Sequence, residues 1–192
     1  MPPLILASTS PYRRALLLRL GLPFEARAPQ VDESAVGIDD AAARASHLAL
    51  AKAEAVAAAA PDAAVIGSDQ VALLGKTLLG KPGSIDNCRR QLAAASGHRI
   101  SFFTAVAVVA ASRSYSVAHL DRTDVMVRRL GSDEIDRYIE RERPLDCAGG
   151  FKAEAAGICL FDSIDSHDPT ALIGLPLIWL SGVLRELGYQ LP

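Results

Sequence analysis

"AVIGSDQVALLGKTLLGKP", residues 64–82, begins like a buried strand and is then interrupted by polar residues. The interruption consists of Ser68, Asp69 and Gln70, after which the apolar run resumes and ends in the tripeptide GKP. Burying a carboxylate without a partner is costly, so such an aspartate usually has a partner or reaches a binding site. We therefore expect Asp69 to meet another residue, a metal ion or a ligand.

The composition indicates an ordinary globular protein. The chain has 192 residues, of which 50% are hydrophobic and 22% charged, with a net charge of -2. We expect one domain over residues 1–192 and no general affinity for nucleic acid or membranes. The sequence shows no apolar run as long as a membrane span and no signal-peptide pattern, which predicts a cytoplasmic protein.

Cysteine and histidine spacing gives no metal-site pattern. The cysteines are widely spaced and lack a C-x-x-C pair: Cys88, Cys147 and Cys159. We interpret them as reduced core residues. The histidines are also scattered, and none lies four residues from another, as a helical zinc site would require.

Apolar periodicity predicts an α/β fold. A short strand (3–8), a polar turn and a helix (12–21) open the chain, as in an α/β unit. The other predicted strands are 23–30, 64–74, a hairpin of 99–111 with 114–129, and 158–164. The other predicted helices are 40–60, 84–96 with Ser84 as N-cap, 132–141, and one that begins near Pro176.

The segment STSPYRR (8–14) combines a helix start with positive charge. Ser10 and Pro11 suit the N-cap and the first helical position. Arg13 and Arg14 follow in the first turn, where the helix dipole disfavours cations. Free backbone N–H groups and two guanidinium groups together favour a bound anion such as phosphate. The alternative is a plain capped helix with solvated arginines.

Carboxylates and further cations occur at other strand ends. Asp32 and Glu33 lie in a loop after one predicted strand. Asp69 lies within the predicted strand 64–74, and Lys81 follows that strand. Phosphoanhydride chemistry needs this combination, because carboxylates can hold Mg²⁺ or Mn²⁺ and activate water while cations neutralise phosphate charge. No Walker or dinucleotide-binding glycine pattern is present.

Several short segments, spread in order over nearly the whole chain, resemble the Maf family of nucleoside triphosphate pyrophosphatases. They are LILASTSPYRRALL (4–17), VDE (31–33), LALAKAEAV (48–56), IGSDQV (66–71), GKP (80–82), SFFTAVAV (101–108), LDCAGGFKAEAAG (145–157) and IGLPL (173–177). One departure is Ala105, where many members have glycine after the threonine.

The resemblance implies a central elongated mixed sheet flanked by helices, with two lobes and a cleft between them, as in Maf and ITPase-like proteins. It also implies a homodimer that uses a divalent cation, Mg²⁺ or Mn²⁺, to split a nucleoside triphosphate into the monophosphate and pyrophosphate. Asp69 and Glu33 match the catalytic and metal-binding positions. Five residues match positions that meet phosphates: Ser10, Arg13, Arg14, Lys52 and Lys81.

The variants GSDQV and CAGGFKAE resemble the subgroup associated with 7-methyl-GTP. Tyr12, Gln70 and Glu154 then become the expected specificity residues. Two alternatives stay open: a sibling enzyme for dTTP and UTP, and a nucleotide-binding regulator of cell division without catalysis. The sequence leaves open which carboxylate is the base and which phosphorus is attacked.

Overall fold

The computed structural model describes residues 1–192, apart from the side chain of Ser34. The chain forms two compact units. Unit 1 comprises residues 1–70, 104–121 and 168–192, and unit 2 comprises residues 71–103 and 122–167. The expectation of a single domain stays a prediction. Within the described residues, no helix is both long and apolar enough to cross a membrane.

The elements alternate between strands and helices, as predicted. The strands are β1 (Leu4–Ala7), β2 (Glu25–Arg27), β3 (Ala64–Leu74), β4 (Thr77–Leu79), β5 (Arg99–Ala110), β6 (Tyr115–Val127) and β7 (Phe161–Ser166). The helices are α1 (Pro11–Leu18), α2 (Ala41–Ala57), α3 (Ile85–Ala95), α4 (Ser132–Glu142) and α5 (Leu177–Glu186). Short 3-10 turns occur at Glu33–Ala35, Ala111–Arg113, Ala148–Gly150, Ala156–Leu160 and Ala171–Ile173.

The strands form one mixed sheet in the order β2-β1-β3-β5-β6-β7, with β4 paired to β3. β1 runs parallel to both β2 and β3, whereas β4 is antiparallel to β3 and β7 is antiparallel to β6. Parallel neighbours require crossover connections, which α1 and α2 supply. The predicted mixed sheet flanked by helices is therefore confirmed.

Alternation along the strands of unit 1 sends successive side chains to opposite faces. Leu6 on β1, Ile66 on β3 and Val106 on β5 belong to an apolar core that also contains residues of α1 and α5. These side chains are fully buried. Even-numbered residues near the middle of β3 therefore face α1 and α5, and odd-numbered ones face the opposite side.

Helix α2 packs very closely on that opposite side of β3. A Cβ atom on Gly67 would lie 2.2 Å from the carbonyl oxygen of Ala49 and 2.6 Å from the backbone nitrogen of Ala53, so only glycine fits. Ala49 and Ala53 are themselves fully buried. This close approach places Lys52 of α2 beside Asp69, which follows Gly67 by two residues.

Unit 2 has its own aromatic cluster. The ring of Phe151 makes edge contacts with Phe102 and Phe161, with centroids 5.5 Å and 4.7 Å away.

Cys88 is buried, and burial raises the pKa of its thiol to about 11. The prediction of core cysteines is confirmed for Cys88, whereas Cys147 is only partly buried and Cys159 is exposed in the 3-10 turn Ala156–Leu160.

The predicted strand 158–164 is partly wrong. Residues Ala156–Leu160 form a 3-10 turn, and β7 begins only at Phe161. A Cβ atom on Gly157 would lie 2.3 Å from the carbonyl oxygen of Lys152, which shows how tightly the chain turns there. The short strand β4 was not predicted, because three residues after a turn carry no clear alternation.

We predict that Gly67→Ala destabilises the protein. The added methyl group meets helix backbone rather than a movable side chain, so the cost should reach at least the usual overpacking range of about 1–3 kcal/mol. Thermal and urea unfolding measure the loss. Gly182→Ala is the matched control, because no described atom outside its chain neighbours and its own helix backbone lies within 4 Å of its Cβ position, and alanine favours the helix. Equal stability of Gly67→Ala and wild type would contradict the close packing of α2 on β3.

Candidate active site

The start of α1 is built as the sequence predicts. The Ser10 hydroxyl oxygen accepts a hydrogen bond from the Arg13 backbone N–H at 3.3 Å, and Pro11 occupies the first helical position. The Ser8 hydroxyl oxygen in turn accepts the Ser10 N–H at 3.1 Å. The predicted N-cap is confirmed. The arrangement fixes the direction in which the first-turn N–H groups point.

Arg13 and Arg14 have different surroundings. The Nε of Arg13 donates to the carbonyl oxygen of Gly174 at 3.0 Å, so part of its guanidinium is already held by protein. Burial lowers the pKa of Arg13, while the charges of Asp69 and Glu33 act in the opposite direction. Arginine nevertheless keeps its charge in proteins. Arg14 is exposed, and its predicted role in phosphate binding stays a prediction.

Lys52 is the centre of the charged set in unit 1. Its Nζ lies 2.7 Å from Oδ1 of Asp69 and 2.7 Å from Oε1 of Glu33. The side chains of Lys52 and Asp69 are 7% and 10% exposed, whereas that of Glu33 is 56% exposed. The interruption of β3 is thus explained, because Asp69 has a buried ammonium partner. The resemblance assigns Lys52 only to phosphate contact, and no sequence pattern indicates this bridge.

Burial raises the pKa of Asp69 above that of an ordinary aspartate, even though the neighbouring Lys52 and Arg13 lower it. The negative charge of Glu33 adds to the increase. A carboxylate with a raised pKa holds a proton more strongly and is a better base. Asp69 therefore has the properties of a proton acceptor that is kept in place by an ion pair.

Glu33 is positioned by a residue that the sequence analysis missed. Arg44 of α2 donates from Nη2 to the Glu33 backbone carbonyl at 3.1 Å and from Nη1 to the Val36 carbonyl at 2.9 Å. These bonds tie the 3-10 turn that carries Glu33 to the same helix that carries Lys52. The signal was present in the sequence, because Arg44 and Lys52 are eight residues apart and so share a helix face.

Gln70 does not point its amide nitrogen at open solvent. Its Nε2 donates to the hydroxyl oxygen of Thr104 at 2.9 Å and to the carbonyl oxygens of Ala171 and Leu172 at 3.1 and 3.0 Å. Its predicted contact with the nucleotide stays a prediction, and the observed bonds are to protein.

The loop between β7 and α5 was also missed as part of the site. Asp168 is buried, and its Oδ2 accepts the backbone N–H of Ile178 at 2.7 Å, while Oδ1 accepts the hydroxyl of Thr170 at 2.6 Å. The Thr170 hydroxyl oxygen accepts the N–H of Leu177 at 2.9 Å. These side chains occupy the first N–H groups of α5, and the segment DPT was their only signal.

The remaining predicted residues are not among those brought together around Lys52. Tyr12 is half-buried in α1. Lys81 and Glu154 belong to unit 2 and are exposed, and their assignment to the site stays a prediction. Among the described residues, no group of three or more His, Cys, Asp and Glu side chains is placed to hold a metal ion. Asp69 and Glu33 form a pair of carboxylates.

Comparison with known protein families matches residues 3–187 to Maf, described as Maf-like protein. A 7-methyl-GTP pyrophosphatase of Xanthomonas axonopodis pv. citri is 54% identical over 192 residues, which is all of both chains. Proteins of the same name from Aromatoleum aromaticum and Pseudomonas aeruginosa are 51% and 49% identical. These alignments cover 98% and 100% of this chain and 97% and 100% of the relatives.

Solved structures resemble the fold at low sequence identity. A HAM1 protein from Coxiella burnetii has a TM-score of 0.53 at 16% identity, covering 97% of this chain and all of that one. The Ham1 protein of Staphylococcus aureus has a TM-score of 0.56 at 14% identity, covering 96% and 99%. Such distant likeness supports the fold alone. The match over residues 3–187 and the full-length relatives at about half identity show that this chain belongs to the Maf family.

Proposed function

We propose that this chain is a nucleotide pyrophosphatase that hydrolyses 7-methyl-GTP to the monophosphate and pyrophosphate. The observation that carries the proposal is the ammonium of Lys52, 2.7 Å from the carboxylates of both Asp69 and Glu33. The names of the full-length relatives support the substrate. The resemblance of the first turn of α1 to the Maf family supports phosphate binding by residues of that turn.

The two carboxylates favour hydrolysis over simple binding. A protein that only bound a triphosphate would gain nothing from negative charges beside it, since like charges repel. A hydrolase needs them, because a carboxylate can accept the proton of an attacking water. Asp69 is the base in this proposal, since it is buried and fixed by Lys52, whereas Glu33 is more than half exposed.

The cations in this proposal serve the phosphates. The Nε of Arg13 is held by the Gly174 carbonyl, so its terminal nitrogens are the ones we assign to phosphate oxygens. We assign the Ser10 hydroxyl as a further donor to the same anion. We assign Lys81 to the phosphates as well, on the resemblance. Together these groups stabilise charge that develops as the phosphoanhydride bond breaks.

The donor chemistry fits a divalent cation. Mg²⁺ and Mn²⁺ prefer oxygen ligands, and Mg²⁺ is commonly held by one or two carboxylates together with substrate phosphates and water. Asp69 and Glu33 are such a pair, and they are the residues that would hold the ion. When bound, the ion would neutralise phosphate charge and polarise the phosphoryl oxygens. Lys52 keeps the two carboxylates close to one another.

Methylation of guanine at N7 makes the ring positive, which defines what a selective site must supply. An aromatic face and a carboxylate both attract a cationic ring more than a neutral one. We propose Tyr12 and Glu154 for these roles, with Gln70 as a third specificity residue. A homodimer and a cytoplasmic location also stay predictions.

The first test is a nucleotide panel with measured pyrophosphate release. We expect the highest kcat/KM for 7-methyl-GTP, activity that depends on Mg²⁺ or Mn²⁺, and loss of turnover in excess EDTA that is reversed by adding the metal. If dTTP or UTP has the highest kcat/KM, the assignment of 7-methyl-GTP as substrate is wrong and the pyrophosphatase reaction stands. Full activity in EDTA would exclude a metal requirement. Nucleotide binding without turnover would support the alternative of a nucleotide-binding regulator without catalysis.

The second prediction concerns Asp69→Asn. The change keeps the shape of the side chain but removes the base, so kcat should fall by about 10²–10⁴ while the circular dichroism spectrum stays that of wild type. Asp62→Asn is the control, because Asp62 is exposed in the turn before β3. Near-normal kcat in Asp69→Asn would show that another group accepts the proton.

The third prediction concerns specificity, measured as the ratio of kcat/KM for 7-methyl-GTP to that for GTP. Tyr12→Ala and Glu154→Gln should lower this ratio more than they lower GTP turnover, because each removes an attraction specific to the positive ring. Glu140→Gln is the control, since Glu140 is an exposed carboxylate of α4 in the same unit as Glu154. An unchanged ratio in both variants would exclude the assigned roles.

A further inference from the structure

We propose that the turn formed by residues 171–174, here called the carbonyl turn, is a positioning device for Arg13. Ser68, Gln70 and Thr104 act as positioning residues in this device, because they fix the turn that fixes Arg13. The proposal rests on the proposed function for its kinetic meaning, although its geometry stands on the hydrogen bonds alone. None of these three residues needs to touch the substrate for the device to work.

Three carbonyl oxygens of the turn accept hydrogen bonds from side chains of the sheet. Ala171 accepts from Gln70 at 3.1 Å and from the Thr104 hydroxyl at 3.0 Å. Leu172 accepts a second bond from Gln70. The last carbonyl, Gly174, accepts from the Ser68 hydroxyl at 2.9 Å and from Nε of Arg13 at 3.0 Å. The same turn therefore links the strands to the arginine.

The donors are polar groups in the interior of core strands. Ser68 on β3 and Thr104 on β5 are both fully buried. Buried polar groups in native proteins are hydrogen-bonded, and a hydroxyl in a core strand is less favourable than an apolar side chain unless it has such a partner. Here the partners are backbone carbonyls of one turn. Strand alternation places Ser68 and Gln70 on the face of β3 opposite to Asp69.

Gly174 shows that the arginine fits closely against the turn. Its φ is +125°, a region that favours glycine. A Cβ atom there would lie 3.4 Å from Nε and 3.5 Å from Cγ of Arg13. Beyond the turn, the backbone N–H of Leu177 donates to the Thr170 hydroxyl oxygen at 2.9 Å, so the loop is held on both sides of Gly174.

The consequence concerns the conformational freedom of a long side chain. A free arginine loses rotamer entropy when it binds a phosphate, and a guanidinium already fixed at Nε loses less. Fixing Nε also sets the plane of the guanidinium before substrate arrives. The carbonyl turn thus makes Arg13 ready for a phosphate at the start of α1.

A double-mutant cycle tests this coupling. Thr104→Val should lower kcat/KM for 7-methyl-GTP about tenfold with Arg13 present and hardly at all in an Arg13→Ala background, as expected of residues that act through one another. Thr104→Ser keeps the hydroxyl and should restore activity. Thr123→Val is the matched control, because Thr123 is equally buried in a strand and bonded to Ser166 at 2.8 Å in unit 2. Equal loss in both backgrounds would overturn the proposal.

A second readout does not depend on catalysis. The Nε–H of Arg13, identified in NMR spectra by its disappearance in Arg13→Lys, should exchange slowly in wild type and faster in Thr104→Val. Ser68→Ala should have the same effect and serves if Thr104→Val does not fold. Unchanged exchange in the folded variants would overturn the proposal. If wild type hydrolyses no nucleotide, the proposed function fails, and the exchange rates still decide whether the turn positions Arg13.

Discussion

The ion pair of Lys52 with Asp69 and Glu33 is the interaction on which the candidate site depends. An ammonium and a carboxylate that are both removed from water stabilise the protein only when they are paired closely. The 2.7 Å contact between Lys52 and Asp69 meets that condition, and it needs α2 to lie almost against β3. Gly67 makes that approach possible, because any side chain there would collide with the helix backbone. The chemistry of the site is therefore tied to one glycine in the core.

Much of the fold could be predicted because its signals are local. The cap at Ser10, the alanine-rich helix α2 and the paired strands β5 and β6 are each determined by residues adjacent in the chain. The boundary of β7 was missed, since the packing of Gly157 against Lys152 is not visible in apolar alternation. A strand of three residues such as β4 lies below what periodicity can indicate.

The residue types of the candidate site could be predicted from the sequence, whereas the contacts between these residues could not. The unusual position of Asp69 in an apolar run indicated a partner. Which residue is the partner depends on how α2 packs on β3, because Lys52 lies 17 residues before Asp69 in the chain. The roles of Ser68 and Thr104 could not be predicted for a different reason. Their partners are backbone carbonyls, which every residue possesses and no sequence pattern marks.

Strand β3 carries its two polar sets on alternate residues, with Asp69 toward α2 and Ser68 and Gln70 toward the carbonyl turn. This arrangement restricts how the gene segment can vary. Inserting or deleting one residue within β3 ahead of Ser68 would turn the hydroxyl and amide toward Lys52 and the carboxylate toward the backbone carbonyls, where it would be repelled. A substitution at one position leaves the direction of the other side chains unchanged, whereas a change in the length of the strand would exchange the two faces at once.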